Sequence, residues 1–133
     1  MTDKFSHNLA DTFMLAKSRL FITPSTDTYD IIRIPKLALV QDVWLEVTTA
    51  CTAGATLTVG WKGNGETAQT AGFMSSDITK PGETGLKRAQ KDNLLSFPGK
   101  YFSSGSGAIT ITVGGTALTA GQFRVFVGYS IIY

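Results

Sequence analysis

A two-residue hydrophobic period, recurring in short runs from Tyr29 to Tyr133, limits what this chain can fold into more than any other feature. Successive side chains of a β-strand point to opposite faces, so apolar residues at every second position mark a half-buried strand. Residues 55–61 set Leu57, Val59 and Trp61 against Thr56, Thr58 and Gly60. Residues 108–113 set Ile109, Ile111 and Val113 against Thr110 and Thr112. The run 122–133 alternates Phe123, Val125, Val127, Tyr129 and Ile131 with Arg124, Phe126, Gly128, Ser130 and Ile132. Residues 29–34 are rich in isoleucine and stop at Pro35, which suits a strand end. Over 39–48, Leu39, Gln41, Val43, Leu45 and Val47 share one face, and Val40, Asp42, Trp44 and Glu46 share the other.

Clusters of turn formers separate these runs: Gly63-Asn64-Gly65, Pro81-Gly82, Pro98-Gly99, Ser103 to Gly107 and Gly114-Gly115. Short strands, glycine-rich turns and no central helical pattern predict an all-β domain over residues 29–133, a single antiparallel β-sandwich or jelly-roll-like barrel. The stretch 62–98 has little periodicity and is either a functional loop or hides weak strands near 72–79 and 93–97. Gly54 to Gly60 echoes Gly107 to Gly114. Two half-buried strands converging on the same chemistry explain that more simply than an internal duplication.

Residues 1–28 read differently, as an N-terminal arm. Leu9, Phe13, Met14 and Leu15 have weakly helical spacing, and Pro24 to Asp27 form a break. A short helix over 9–20 and an extended arm lying on a neighbouring subunit both fit. With 133 residues there is room for one core. A hydrophobic share of 43% with only 17% charged residues excludes general disorder, and makes the surface depend on Thr, Ser and Gly or on cover by neighbours.

A formal charge of +2 with scattered basic residues predicts no nucleic-acid partner, and the densest group, Lys87, Arg88 and Lys91, reads as a solvated loop. The single cysteine, Cys51, allows no internal disulfide, and with no apolar leader visible this suggests synthesis and folding in a reducing host cytoplasm. No apolar run approaches membrane-spanning length, so no membrane is expected as a partner.

Little in the chain suggests catalysis. His7, the one histidine, lies in the expected arm, and Cys51 lacks a basic partner to make it a nucleophile. One His and one Cys do not make a zinc site, although carboxylates could still hold calcium. Gly63-Asn64-Gly65 and Gly105-Ser106-Gly107 match neither a phosphate-binding loop nor a hydrolase elbow, and read as turns. No enzyme, cofactor or metal is expected.

The chemistry that remains is adhesive. Val40 and Trp44 share a face with Asp42 and Glu46, and Phe126 and Ile132 lie opposite the apparent core row of the last strand. Aromatic side chains on an outer face are candidate subunit contacts. The alternative is that both faces of these strands are buried within one sandwich. With the arm residues Phe5, Leu9 and Phe13, these four make up the candidate contact set.

The segments Ile32-Arg33-Ile34-Pro35, Leu39 to Val47, Gly54 to Gly60 and Ala117 to Tyr129 together resemble the small β-sandwich head-decoration (cement) and related structural proteins of tailed bacteriophages. The resemblance covers most of 29–133 and not the arm. It implies a virion component that binds the major capsid protein or other virion proteins, often as a trimer, and clips the assembled shell. Two other classes stay open. One is a tail, head-fibre or adaptor component, with Trp61 and the 62–98 stretch meeting a glycan. The other is a weak hydrolase or other enzyme using Asp42, Glu46 or other carboxylates in a cleft.

Overall fold

A computed structural model describes residues 13–89 and 99–132. In chain order the strands are β1 (Phe13–Lys17), β2 (Phe21–Ile22), β3 (Asp27–Arg33), β4 (Ala38–Thr49), β5 (Ala55–Lys62) and β6 (Gln69–Met74). A single helical turn, α1 (Ser76–Thr79), is followed by β7 (Gly85–Arg88), β8 (Lys100–Phe102), β9 (Ala108–Gly115) and β10 (Gln122–Ile131). Every strand pairing is antiparallel, and the strands form two sheets. The first has the order β1-β10-β4-β7, with β2 also on β10 and β8 also on β4; the second has the order β3-β9-β5-β6. The expected all-β sandwich is what the chain forms.

The inward rows of the two sheets meet in one core. The first sheet contributes Val43, Leu45, Val47, Phe123, Val125 and Val127, and the second Leu57, Val59, Phe73, Ile109, Ile111 and Val113, all buried. The echoing segments are neighbours: β5 and β9 pair with Leu57 opposite Val113 and Val59 opposite Ile111. Their threonines therefore line one outward face together. Thr58 lies opposite Thr112, and Thr28 of β3 joins that row through a 3.0 Å hydroxyl–hydroxyl hydrogen bond to Thr112. On the same face Lys62 pairs with Asp30 at 2.7 Å.

Three local expectations change. Residues 13–17 are a strand and not part of a helix, because β10 offers them a complete ladder from Phe13 opposite Ser130 to Lys17 opposite Phe126. Tertiary pairing here overrides weak helical spacing. β1 and β2 are thus hydrogen-bonded into the first sheet, and Ala16 packs on the core opposite Val127.

Within 62–98, β6 and α1 occupy 69–79 and β7 occupies 85–88; the expected strand near 93–97 lies outside the described residues. Thr79 anchors α1: its buried hydroxyl donates to the Leu57 carbonyl at 2.8 Å.

The alternation of β4 breaks at Gln41. Gly128 faces Asp42, but the next residue of β10, Tyr129, faces Val40, so Gln41 is one extra residue on β4. Such a bulge reverses the faces on one side of it. Val40 is consequently fully buried with Val43, and Leu39 leaves the core row.

Candidate interaction surface

The outer face of the first sheet is built by register. Lys17, Phe126, Trp44 and Arg88 form one row across β1, β10, β4 and β7. Arg124, Glu46 and Leu86 form the next row, and Leu15, Gly128 and Asp42 the one on the other side. Gly128 presents no side chain between Leu15 and Asp42 in that row. Leu15, Trp44, Leu86 and Phe126, with the paired Arg124 and Glu46, line a shallow groove of about 360 Å³. Leu15 and Leu86 are 63% and 64% exposed.

The charges on this face are mostly neutralised within it. Arg124 Nε donates to Glu46 at 2.7 Å and its guanidinium lies 5.5 Å from the Phe126 ring centre. Asp42, nearly buried, accepts from Arg88 Nε at 3.0 Å and from its neighbour Val43 N at 3.0 Å. Both carboxylates are therefore occupied, and neither is placed as a free acid or base. Lys17 makes no ion pair among the described residues.

The two outer faces of the sandwich differ in kind. The markedly exposed large apolar side chains among the described residues are Met14, Leu15, Leu20, Ile22, Leu86, Tyr101 and Ile132. All lie on, between or just beyond strands of the first sheet, and none lies on the second. Of these, Leu15 and Leu86 share the groove with Trp44 and Phe126, and an apolar patch of that kind is a candidate interaction site.

The candidate contacts divide accordingly. Trp44 and Phe126 meet as direct cross-strand partners on the outer face, half-buried, and Ile132 is exposed just past β10. Val40 is corrected: the bulge turns it into the core, away from any surface. Phe13 sits in β1, while Phe5 and Leu9 lie outside the described residues, as do His7 and Lys91. Leu15 and Leu86 are the residues that strand alternation alone missed. Leu15 sits where helical and extended readings compete, and Leu86 in a stretch with no period.

Trp61 is poorly placed as a glycan platform. Its ring packs against Gly72, where a Cβ would come within 2.1 Å of it, and edge-on against Phe73 with centres 5.0 Å apart. The Lys100 ammonium lies 4.7 Å from its centre and is held there by Glu66 at 2.6 Å. Hydrogen bonds from Lys100 and Asn64 keep the Glu66 carboxyl below its ordinary range. Cys51 is buried, and that burial pushes its thiol up. Among the described residues no group of three or more His, Cys, Asp or Glu is placed to hold a metal ion.

The geometry defines a two-sheet antiparallel sandwich with an apolar groove on one outer face and threonine rows on the other. No protein-family model matches the sequence, and no curated protein matches it. Solved structures do. A chain of the acid-stable capsid of Helicobacter pylori bacteriophage KHP30 matches with a TM-score of 0.66 at 20% identity, over 90% of this chain and 88% of that one. A chain of the cyanophage Pam1 capsid asymmetric unit matches with a TM-score of 0.66 at 20% identity, over 90% of this chain and 85% of that one. At that identity the likeness shows a shared fold.

Proposed function

We propose that this chain is a non-enzymatic structural protein of a phage virion, one that decorates the assembled shell and stabilises it. The observation that carries the reading is the fold likeness, which spans nine-tenths of the chain, to chains from two phage capsids. The apolar groove on the outer face of the first sheet supports it, since Leu15, Trp44, Leu86 and Phe126 together offer a contact surface.

On this reading the mechanism is mechanical. A protein that binds the finished shell and not its precursor stabilises the finished state by mass action, in proportion to its occupancy. The partner is the major capsid protein or another virion protein, and the chain itself associates as a homo-oligomer, a trimer by the resemblance of its sequence to decoration proteins. Phe5, Leu9 and Phe13 stand as further proposed contacts on the N-terminal side.

The test is the amount of this protein in purified particles relative to the major shell protein. A ratio fixed by the shell subunits is expected. A few copies per particle would move the chain to the neck, tail or fibres, and absence would overturn the virion reading.

A further inference from the structure

We infer that Asn64 is a deamidation site which the fold keeps latched. The bonds that pin its carboxamide hold it away from the Gly65 nitrogen, and its conversion to aspartate or isoaspartate undoes a tie between the two sheets. The inference stands apart from the proposed virion role.

The sequence supplies the reactivity. Gly65, the residue after Asn64, has no side chain to hinder attack by its main-chain nitrogen, and a Cβ built there would meet nothing within 4 Å. That nitrogen bonds to Asn64 Cγ as the bond from Cγ to Nδ2 breaks, and the Gly65 proton leaves with Nδ2 as ammonia. Water then opens the cyclic imide at either carbonyl, giving aspartate or isoaspartate. The step consumes only water.

The structure supplies the latch. Asn64 lies in the left-handed region at φ 59°, between β5 and β6, in a loop held against the one between β8 and β9. Gly63 permits the close approach, because a Cβ there would come within 2.2 Å of the Ser106 carbonyl oxygen. Asn64 Oδ1 accepts from Ser104 N at 3.0 Å, and Nδ2 donates to the Tyr101 carbonyl at 3.3 Å and to the Glu66 carboxylate. With both ends of the carboxamide engaged, Cγ cannot swing onto the Gly65 nitrogen until these bonds part. Glu66, which could accept the proton, is itself held by Lys100 at 2.6 and 2.8 Å. The reaction therefore runs through a local opening of the loop.

Conversion removes the same contacts. Lys100 and Tyr101 belong to β8 of the first sheet, whereas Asn64 and Glu66 follow β5 of the second, so the cluster bridges the sheets. Aspartate has no donor to replace Nδ2, and it sets a second carboxylate beside Glu66 and the Tyr101 carbonyl. Isoaspartate also lengthens the main chain by one carbon.

The experiment incubates the full chain at mildly alkaline pH, folded and in urea, and reads residue 64 by peptide mass and isoaspartate content. Deamidation is expected in urea, with the folded chain slower by at least about tenfold. Glu66→Ala removes one acceptor of Nδ2 at a partly exposed position. Its folded rate, taken against its own rate in urea, is expected to rise about two- to tenfold. Asn64→Asp is expected to speed amide exchange at position 104 by at least about fivefold, with exchange in the middle of β9 unchanged. Equal rates folded and in urea would overturn the latch, as would a folded Glu66→Ala chain no faster than the parent. No deamidation in urea would overturn the site, and parent-like exchange at position 104 in Asn64→Asp would overturn the tie. The virion role stands under every one of these results.

Discussion

The bulge at Gln41 makes Val40→Ala a sharp test of how β4 is phased. Strict alternation puts Val40 on the outer face beside Trp44, where truncation to alanine costs within about 0.5 kcal/mol. In the structure Val40 is fully buried between the sheets. Removing two buried carbons then forfeits about 1.6 kcal/mol of transfer free energy, at about 0.8 kcal/mol each. A residual cavity of roughly 50 Å³, at about 24 cal/mol per Å³, adds about 1.2 kcal/mol if the site does not collapse. The expected loss is about 2–3 kcal/mol. For a chain of 133 residues, an unfolding entropy of about 2.1 cal/mol/K per residue turns this into a drop of about 7–11 °C in Tm. Urea unfolding should show a lower midpoint at unchanged m, the mark of altered stability rather than altered compactness. Val43→Ala, inward under either phasing, provides the internal standard. A loss below about 0.5 kcal/mol for Val40→Ala beside a full loss for Val43→Ala would refute the bulge.

Other perturbations follow the same logic. Gly60→Ala would set a Cβ 1.8 Å from the Gln69 carbonyl oxygen, so β5 and β6 must part; a loss of about 1–3 kcal/mol is expected, with faster amide exchange confined at first to β6. Thr79→Val removes the donor to the Leu57 carbonyl and should cost about 1–3 kcal/mol by urea titration, while Thr79→Ser should restore most of it; equal stability of the two variants would count against the bond. Burial raises the Cys51 thiol above its ordinary value of 9.0, so the folded state holds that proton where the unfolded chain releases it. Its contribution is therefore complete below that value and is lost as pH rises through the folded pKa. The parent should lose stability relative to Cys51→Ala above about pH 9, and a thiol reagent should label Cys51 only as fast as the chain opens; rapid labelling at neutral pH would contradict its burial.

Legibility in the sequence followed the strength of the local period. The runs over 55–61 and 108–113 lie in β5 and β9, and 122–131 is β10, because each strand is itself regular and half-buried. The period was lost where the backbone departs from regular pairing. Nothing near Gln41 announces an extra residue, since the choice of bulge is made jointly with β10. β1 is short and apolar at nearly every position, so helical and extended readings of Phe13 to Lys17 were equivalent until β10 supplied a ladder. β6 and β7 lie in strands of mixed exposure, and no alternation marks them. The candidate surface was half readable: Trp44 and Phe126 stood out as aromatics on a polar row, whereas Leu15 and Leu86 join them only through cross-strand register.

The strand order also constrains when this molecule can acquire its shape during synthesis. β9 lies between β3 and β5 in one sheet, and β10 lies between β1 and β4 in the other, yet these are the last two of the ten strands among the described residues. A nascent chain lacking them holds sheet edges with no centre, and neither layer closes until Ala108 to Ile131 has left the ribosome. Folding must then bring together segments about a hundred residues apart, such as Leu15 and Gly128, which sets a slow rate typical of non-local β topologies. The groove is itself a product of that final step, since Phe126 and Arg124 arrive with β10 and Leu15 is positioned by it. A truncated copy therefore lacks the groove, which only the finished chain presents.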